Sequence, residues 1–175
     1  MSNYEGRGIT MTTTGLHEAH IYEVLDAVKD PEIDTVSIMD LGMIERVQVN
    51  NGHIRIEVLP TFSGCPALTI IQQNIKKAVE QLEGVHEVSV VFINHPTWTS
   101  DRVTEKGREG LKLFGIAPPP RFLQEDGSWH VDCPYCGSTY VTLENIFGPT
   151  ACRSILYCKS CKNPFEAMKI ISTSM

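Results

Sequence analysis

VSIMDLGMIERVQVNNGHIRIEVLP, residues 36–60, is the stretch whose reading decides the fold. Within it, MIERVQV (43–49) and HIRIEVL (53–59) alternate apolar and polar residues, the two-residue period of half-buried strands. Asn50-Asn51-Gly52 between them tolerates the positive φ of a tight turn, so the two runs should close as a hairpin. Pro60 ends the second strand.

The flanking chain supplies the cover. PALTIIQQNIKKAVEQL (66–82) places Leu68, Ile71, Ile75, Val79 and Leu82 three and four apart, an amphipathic helix to lie on the hairpin. VHEVSVVFI (85–93) alternates as a third strand. Upstream, Ile21, Val24, Leu25 and Val28 give a helix between Leu16 and Lys29, stopped by Asp30-Pro31. Downstream, Thr99 or Ser100 should cap a third helix with Asp101 in its first turn; Gly115 stops it and Gly107 and Gly110 weaken it. Helix, strand, strand, helix, strand, helix is an α+β arrangement, a small mixed sheet with helices on one face.

IAPPPRF (116–122) reads as an extended connector. The expected organisation is a disordered tail over 1–15, an α+β domain over 16–116, a Pro-rich linker over 117–128 and a cysteine-rich module over 129–175. The tail, MSNYEGRGITMTTTG, lacks the apolar segment of a secretory signal, and no run is long enough to cross a bilayer. A cytoplasmic protein is expected, and its six cysteines are then thiols or metal ligands. The formal net charge of −6 disfavours a nucleic-acid partner. The expected partners are proteins and metals, without membrane or nucleic acid, and a homodimer is open.

In the terminal module Cys133 and Cys136 form one Cys-x-x-Cys and Cys158 and Cys161 a second, across a β-rich segment. Two residues between ligands let both thiolates of a knuckle face one ion, and two knuckles complete a tetrahedron. Gly137 follows the first pair where a knuckle requires positive φ. Zinc is one occupant of such a set; iron or an iron-sulfur cluster is the other. Two disulfides are the bland alternative. Cys152, six residues before the second pair, is either a spare ligand or a buried thiol.

TFSGCPALT (61–69) isolates Cys65 between Gly64 and Pro66. With Pro66 at the first helical position, Cys65 would be the N-cap, its thiolate favoured by the helix dipole, a soft ligand or nucleophile. An inert buried cysteine is the competing reading. His17, His20 and Glu23 share a helix face that reads as solvated surface. Asp40, an acid between apolar runs, requires a partner, and Asp30 belongs to a turn. Trp98 and Arg102 are a partner contact or ordinary packing. No phosphate-binding loop, His-Glu-x-x-His site or Ser/His/Asp set is present, so an autonomous enzyme is poorly supported.

DPEIDTVSIMDLGMI (30–44), TFSGCPAL (61–68) and PTWTSDRVTEKGREGL (96–111) resemble the three motifs of the iron-sulfur assembly domain of SufT-like proteins. The CPYCGS…FGPTACRSILYCKSCKNPFEAMK tail resembles that of PaaD-type accessory subunits of the phenylacetyl-CoA epoxidase system, which act in aerobic phenylacetate degradation. The resemblance implies an accessory or maturation factor, not catalytic alone, that helps to assemble or insert the iron-sulfur cluster of the epoxidase system's reductase or the di-iron site of its oxygenase. The oxygenase and reductase subunits would be its protein partners. The resemblance also implies that Cys65 is the reactive cysteine, transiently binding iron or a cluster, and puts Asp30 and Asp40 in motif positions; Cys152 joins these two as a candidate supporting position from its place in the chain. A structural zinc-binding adaptor without metal transfer is the alternative. Ser63 stands where related domains often carry proline, which implies a looser loop.

Overall fold

The computed structural model describes residues 17–120 and 130–171. The expected 1–15 tail and residues 121–128 of the expected linker lie outside them. The chain begins with α1 (Glu18–Asp26), β1 (Lys29–Asp30) and β2 (Ile33–Ser37), followed by β3 (Ile44–Asn50) and β4 (His53–Val58). Asn51 and Gly52 take φ of 48° and 79°, the paired positive values that match a hairpin to the strand twist. β3 and β4 pair antiparallel, with a register shift between Ile44 and Arg46.

α2 (Leu68–Val79) then crosses over and delivers β5 (Glu87–Phe92) parallel to β4, in register Ile54 to Val88 and Ile56 to Val90. A parallel neighbour requires such a crossover. Ile71, Ile75 and Val79 of α2 and Ile21 and Leu25 of α1 are buried over the sheet's Val47, Ile54, Ile56 and Val58. This is the mixed three-stranded sheet of the expected α+β fold.

The third helix starts later than its sequence suggests. Ser100–Arg102 is one turn of 3-10 helix, and α3 is Glu105–Phe114, capped by Thr104, whose hydroxyl accepts from the Gly107 N–H at 3.0 Å. α3 packs on β2, and its glycines explain how closely. A Cβ on Gly107 would run into the Asp40 carbonyl, and one on Gly110 would stand 2.8 Å from the Thr35 carbonyl oxygen. Gly107 and Gly110 therefore mark the contact face of α3. Asp40 finds the partners it requires: the Ser37 N–H (3.2 Å), the Thr104 hydroxyl (3.4 Å) and the Lys106 ammonium (3.6 Å).

Gly115 takes φ 91° and turns the chain into β6 (Ile116–Ala117). The terminal sheet runs β6-β9-β8-β7, with β7 (Val141–Asn145), β8 (Arg153–Cys158) and β9 (Pro164–Met168) antiparallel and β6 parallel to β9. Its core is small: Ala117, Val131, Leu156, Phe165 and Ala167 with Cys133 and Cys158. The two parts are stitched together. Met168 is buried in the first core, the Ser100 N–H donates to the Ile171 carbonyl at 2.9 Å, and Arg153 reaches Glu32 at 3.4 Å.

Candidate metal centres

The two knuckles are built alike. The Gly137 N–H donates to the Cys133 carbonyl (2.8 Å) and the Lys162 N–H to the Cys158 carbonyl (2.9 Å). The Cys133 N–H donates to the Ser138 carbonyl and the Cys158 N–H to the Asn163 carbonyl, at 3.0 and 2.9 Å. Gly137 and Lys162 occupy the equivalent position with φ of 70° and 63°. Glycine marked the first knuckle in the sequence; a lysine hides the same backbone in the second.

The knuckles face each other so that Cys133 Sγ lies 3.7 Å from Cys161 Sγ and Cys136 Sγ 3.6 Å from Cys158 Sγ. All four sulfurs lie within 4.8 Å of one another, and no cysteine is disulfide-bonded. A tetrahedral ion with bonds of about 2.3 Å sets its sulfurs about 3.8 Å apart. The donor set therefore fits a single metal ion.

Its protonation points the same way. Backbone N–H groups of Cys161 and Ser160 hold the Cys158 thiol down at about 6, against the desolvation that raises it. Cys136 is pushed up to about 12: the Ser138 N–H favours its thiolate, but desolvation and the neighbouring sulfurs outweigh it. Four thiolates so close require a cation, and binding one releases protons.

Cys65 does not sit as its sequence setting suggests. α2 begins at Leu68 with Ala67 as N-cap, and residues 62–67 form turns in which the Leu68 N–H donates to the Cys65 carbonyl at 3.3 Å. Half-buried against the first core, Cys65 has its thiol raised, chiefly by burial, while the Ala67 N–H acts to lower it. The carboxylates of Glu32 and Asp30 raise it further. The expectation of a dipole-activated thiolate is thus corrected, because the loop holds the sulfur ahead of the helix and against apolar cover.

Of the supporting positions, Asp30 stands near Cys65; its Oδ1 accepts from the Glu32 and Ile33 N–H groups at 2.8 and 3.0 Å, and burial raises its pKa. Asp40 instead joins the 37–40 turn to α3. Cys152 is absent from the four-sulfur group. Trp98 is buried and donates to the Leu41 carbonyl at 2.8 Å, and Arg102 binds the Gly42 carbonyl and Glu45, so both serve packing. His17, His20 and Glu23 are exposed. Sequence reasoning missed Arg153, which is buried and binds Glu166 at 2.7 Å and Glu32 at 3.4 Å.

A small α+β domain carrying a four-cysteine ribbon is the class of protein that these elements define. Residues 18–90 match the family described as iron-sulfur cluster assembly protein, and residues 117–169 the one described as PaaD zinc beta ribbon domain. The chain belongs to the family of PaaD-type subunits of 1,2-phenylacetyl-CoA epoxidase. The relative that places it there, from Escherichia coli (strain K12), is named only provisionally as a subunit of that epoxidase; it is 38% identical over 93% of this chain and 97% of its own length. An Fe-S protein maturation auxiliary factor of Porphyromonas gingivalis is 33% identical over 51% of this chain and 85% of its own. A solved DUF59 domain of Bacillus anthracis, of unknown function by its description, is 30% identical with TM-score 0.51, over 54% of this chain and 90% of that one.

Proposed function

We propose that this protein is an accessory factor that assembles or inserts the iron-sulfur or di-iron centre of a multicomponent phenylacetyl-CoA epoxidase. Cys65 is the ligand that takes iron or a cluster in transit, and the ribbon holds zinc for structure. One observation carries the reading: Cys65 is a partly exposed thiol outside the closed four-sulfur group. A closed set of four thiolates keeps its metal, whereas cargo requires an open position.

The names of its relatives support the client and the cargo. The short sulfur separations support a single ion in the ribbon, because a cluster spreads its thiolates over several atoms. The edge strand β7 and its flanks expose Tyr140, Leu143, Ile146 and Phe147, which suits the ribbon to docking an oxygenase or reductase subunit. No helix among the described residues is long and apolar enough to cross a membrane, and a cytoplasmic setting would keep the six thiols reduced.

The test is the iron, zinc and sulfide content of protein purified without oxygen, wild type against Cys65→Ala, together with metal loading of the epoxidase in cells carrying each. The expected result is zinc unchanged at about one per chain, with iron and client loading falling in the variant. Equal client loading with and without this protein overturns the reading.

A second reading, a structural zinc-binding adaptor, is favoured by the raised Cys65 thiol, since a protonated sulfur is a poor ligand. It requires full oxygenase activity in cells carrying Cys65→Ala.

A further inference from the structure

The four ribbon cysteines are not equally sheltered. Cys133 and Cys158 are buried in the ribbon core, whereas Cys136 is exposed and Cys161 half-buried, so a competing ligand meets the sulfur group from the side of the last two. Two hydroxyls bridge the knuckles beside those ligands. Ser138 follows Cys136 by two residues, Ser160 directly precedes Cys161, and their Oγ atoms lie 2.7 Å apart. Water competes for exposed hydroxyls, so such a bond adds something only where its ends are already held in place. Both are held. The Ser138 Oγ accepts from the Tyr140 N–H at 3.1 Å and the Ser138 carbonyl from the Cys133 N–H at 3.0 Å, while Ser160 sits in the turn that the Lys162 N–H closes on the Cys158 carbonyl at 2.9 Å. The Lys159 N–H, donating to the Tyr140 carbonyl at 2.9 Å, fixes the spacing of the two knuckles next to the hydroxyls.

We infer that Ser138 and Ser160 are positioning residues that clasp the two knuckles across the exposed side of the metal site and so slow the release of its ion. This deepens the reading of the ribbon as the holder of a structural zinc and rests on it. The ligand group is the four sulfurs, and neither hydroxyl belongs to it. An ion held by thiolates leaves as they come off it one by one, each taking a proton from water. The exposed thiolates come off when a knuckle swings outward. The hydroxyl bond ties the Cys136 side of the first knuckle to the Cys161 side of the second, so neither swings out without breaking it. Partners that lie outside the ligand set in this way set how tightly a metal is kept.

The experiment follows zinc release from the full chain to excess 4-(2-pyridylazo)resorcinol, a chromogenic chelator, without oxygen. Ser138→Ala and Ser160→Ala should each release zinc about fivefold faster than wild type, the effect of one lost hydrogen bond. The double variant should be no faster than the faster single one, because both remove the same bond. Ser138→Thr, which keeps the hydroxyl, should release near the wild-type rate. Cobalt(II)-loaded variants should keep the thiolate-to-metal charge-transfer absorbance of wild type, which shows that the ligands are all still bound. Wild-type rates in both alanine variants, or single effects that multiply in the double variant, overturn the clasp and leave the zinc reading standing. Faster release with the charge-transfer absorbance lost also overturns the clasp, because loss of a ligand would then set the rate. Wild type without metal at the four cysteines overturns the zinc reading and the clasp together.

Discussion

Arg153 is the residue on which the domain junction turns. Its buried guanidinium binds the Thr150 hydroxyl (2.7 Å), Glu166 within the ribbon and Glu32 across the junction. Removing it leaves two partly buried carboxylates without their cation, so Arg153→Ala should cost about 2 kcal/mol, less than for a fully buried pair because both glutamates reach solvent. The denaturant midpoint of the metal-loaded protein measures this, and Arg153→Lys should not restore it, because an ammonium cannot present the planar fork. Lys162 offers the opposite case. Held at φ 63° by the second knuckle, it carries strain that glycine lacks, so Lys162→Gly should stabilise the loaded ribbon by about 0.5–1 kcal/mol. An unchanged or lower thermal midpoint would show that the lysine side chain contributes more than its backbone costs.

Among elements, α3 depends on close approach. Gly107→Ala gains about 1 kcal/mol of helix propensity but forces a methyl into the Asp40 carbonyl, an overpacking cost of about 1–3 kcal/mol. A net fall in the melting temperature is expected, and a rise would mean that α3 can move off β2 freely. Elements differ in how far the sequence disclosed them. The β3–β4 hairpin, α2 and β5 are legible because each carries enough residues for its period to show. β1 and β6 have two residues each and no period, and pairing with distant partners alone makes them strands. The sequence starts α3 a turn early because Thr99, Ser100 and Thr104 are all competent caps, and only the packing of Gly107 on Asp40 selects Thr104. The four tail cysteines are legible from spacing. The environment of Cys65 is not, since the apolar core that half-buries it and the Asp30 and Glu32 carboxylates that act on it come from distant parts of the chain.

For the molecule as a whole, the ribbon is the part with the least core, seven buried residues of which two are candidate ligands. Structural zinc supplies on the order of 10 kcal/mol to such modules. Chelation should therefore abolish amide protection in β7, β8 and β9 while β3, β4 and β5 stay protected, as hydrogen exchange with mass readout would show. Met168 and the Ser100–Ile171 bonds would be lost with the ribbon, so the first domain should also melt lower. Retained protection in all three ribbon strands after the metal is removed would mean that the small core suffices.

β6 (Ile116–Ala117) precedes residues 121–129 in the covalent string yet lies in the sheet of the strands that follow them, beside β9. A backbone cut between residues 121 and 129 would therefore leave each fragment holding a piece of the other's architecture: one lends a strand, the other returns Met168 and Ile171 to the opposite core. The nicked protein should elute as one species, and the terminal fragment prepared alone should hold its metal less tightly than the pair. Covalent continuity through that segment is then dispensable, and the halves behave as complementing pieces of one body.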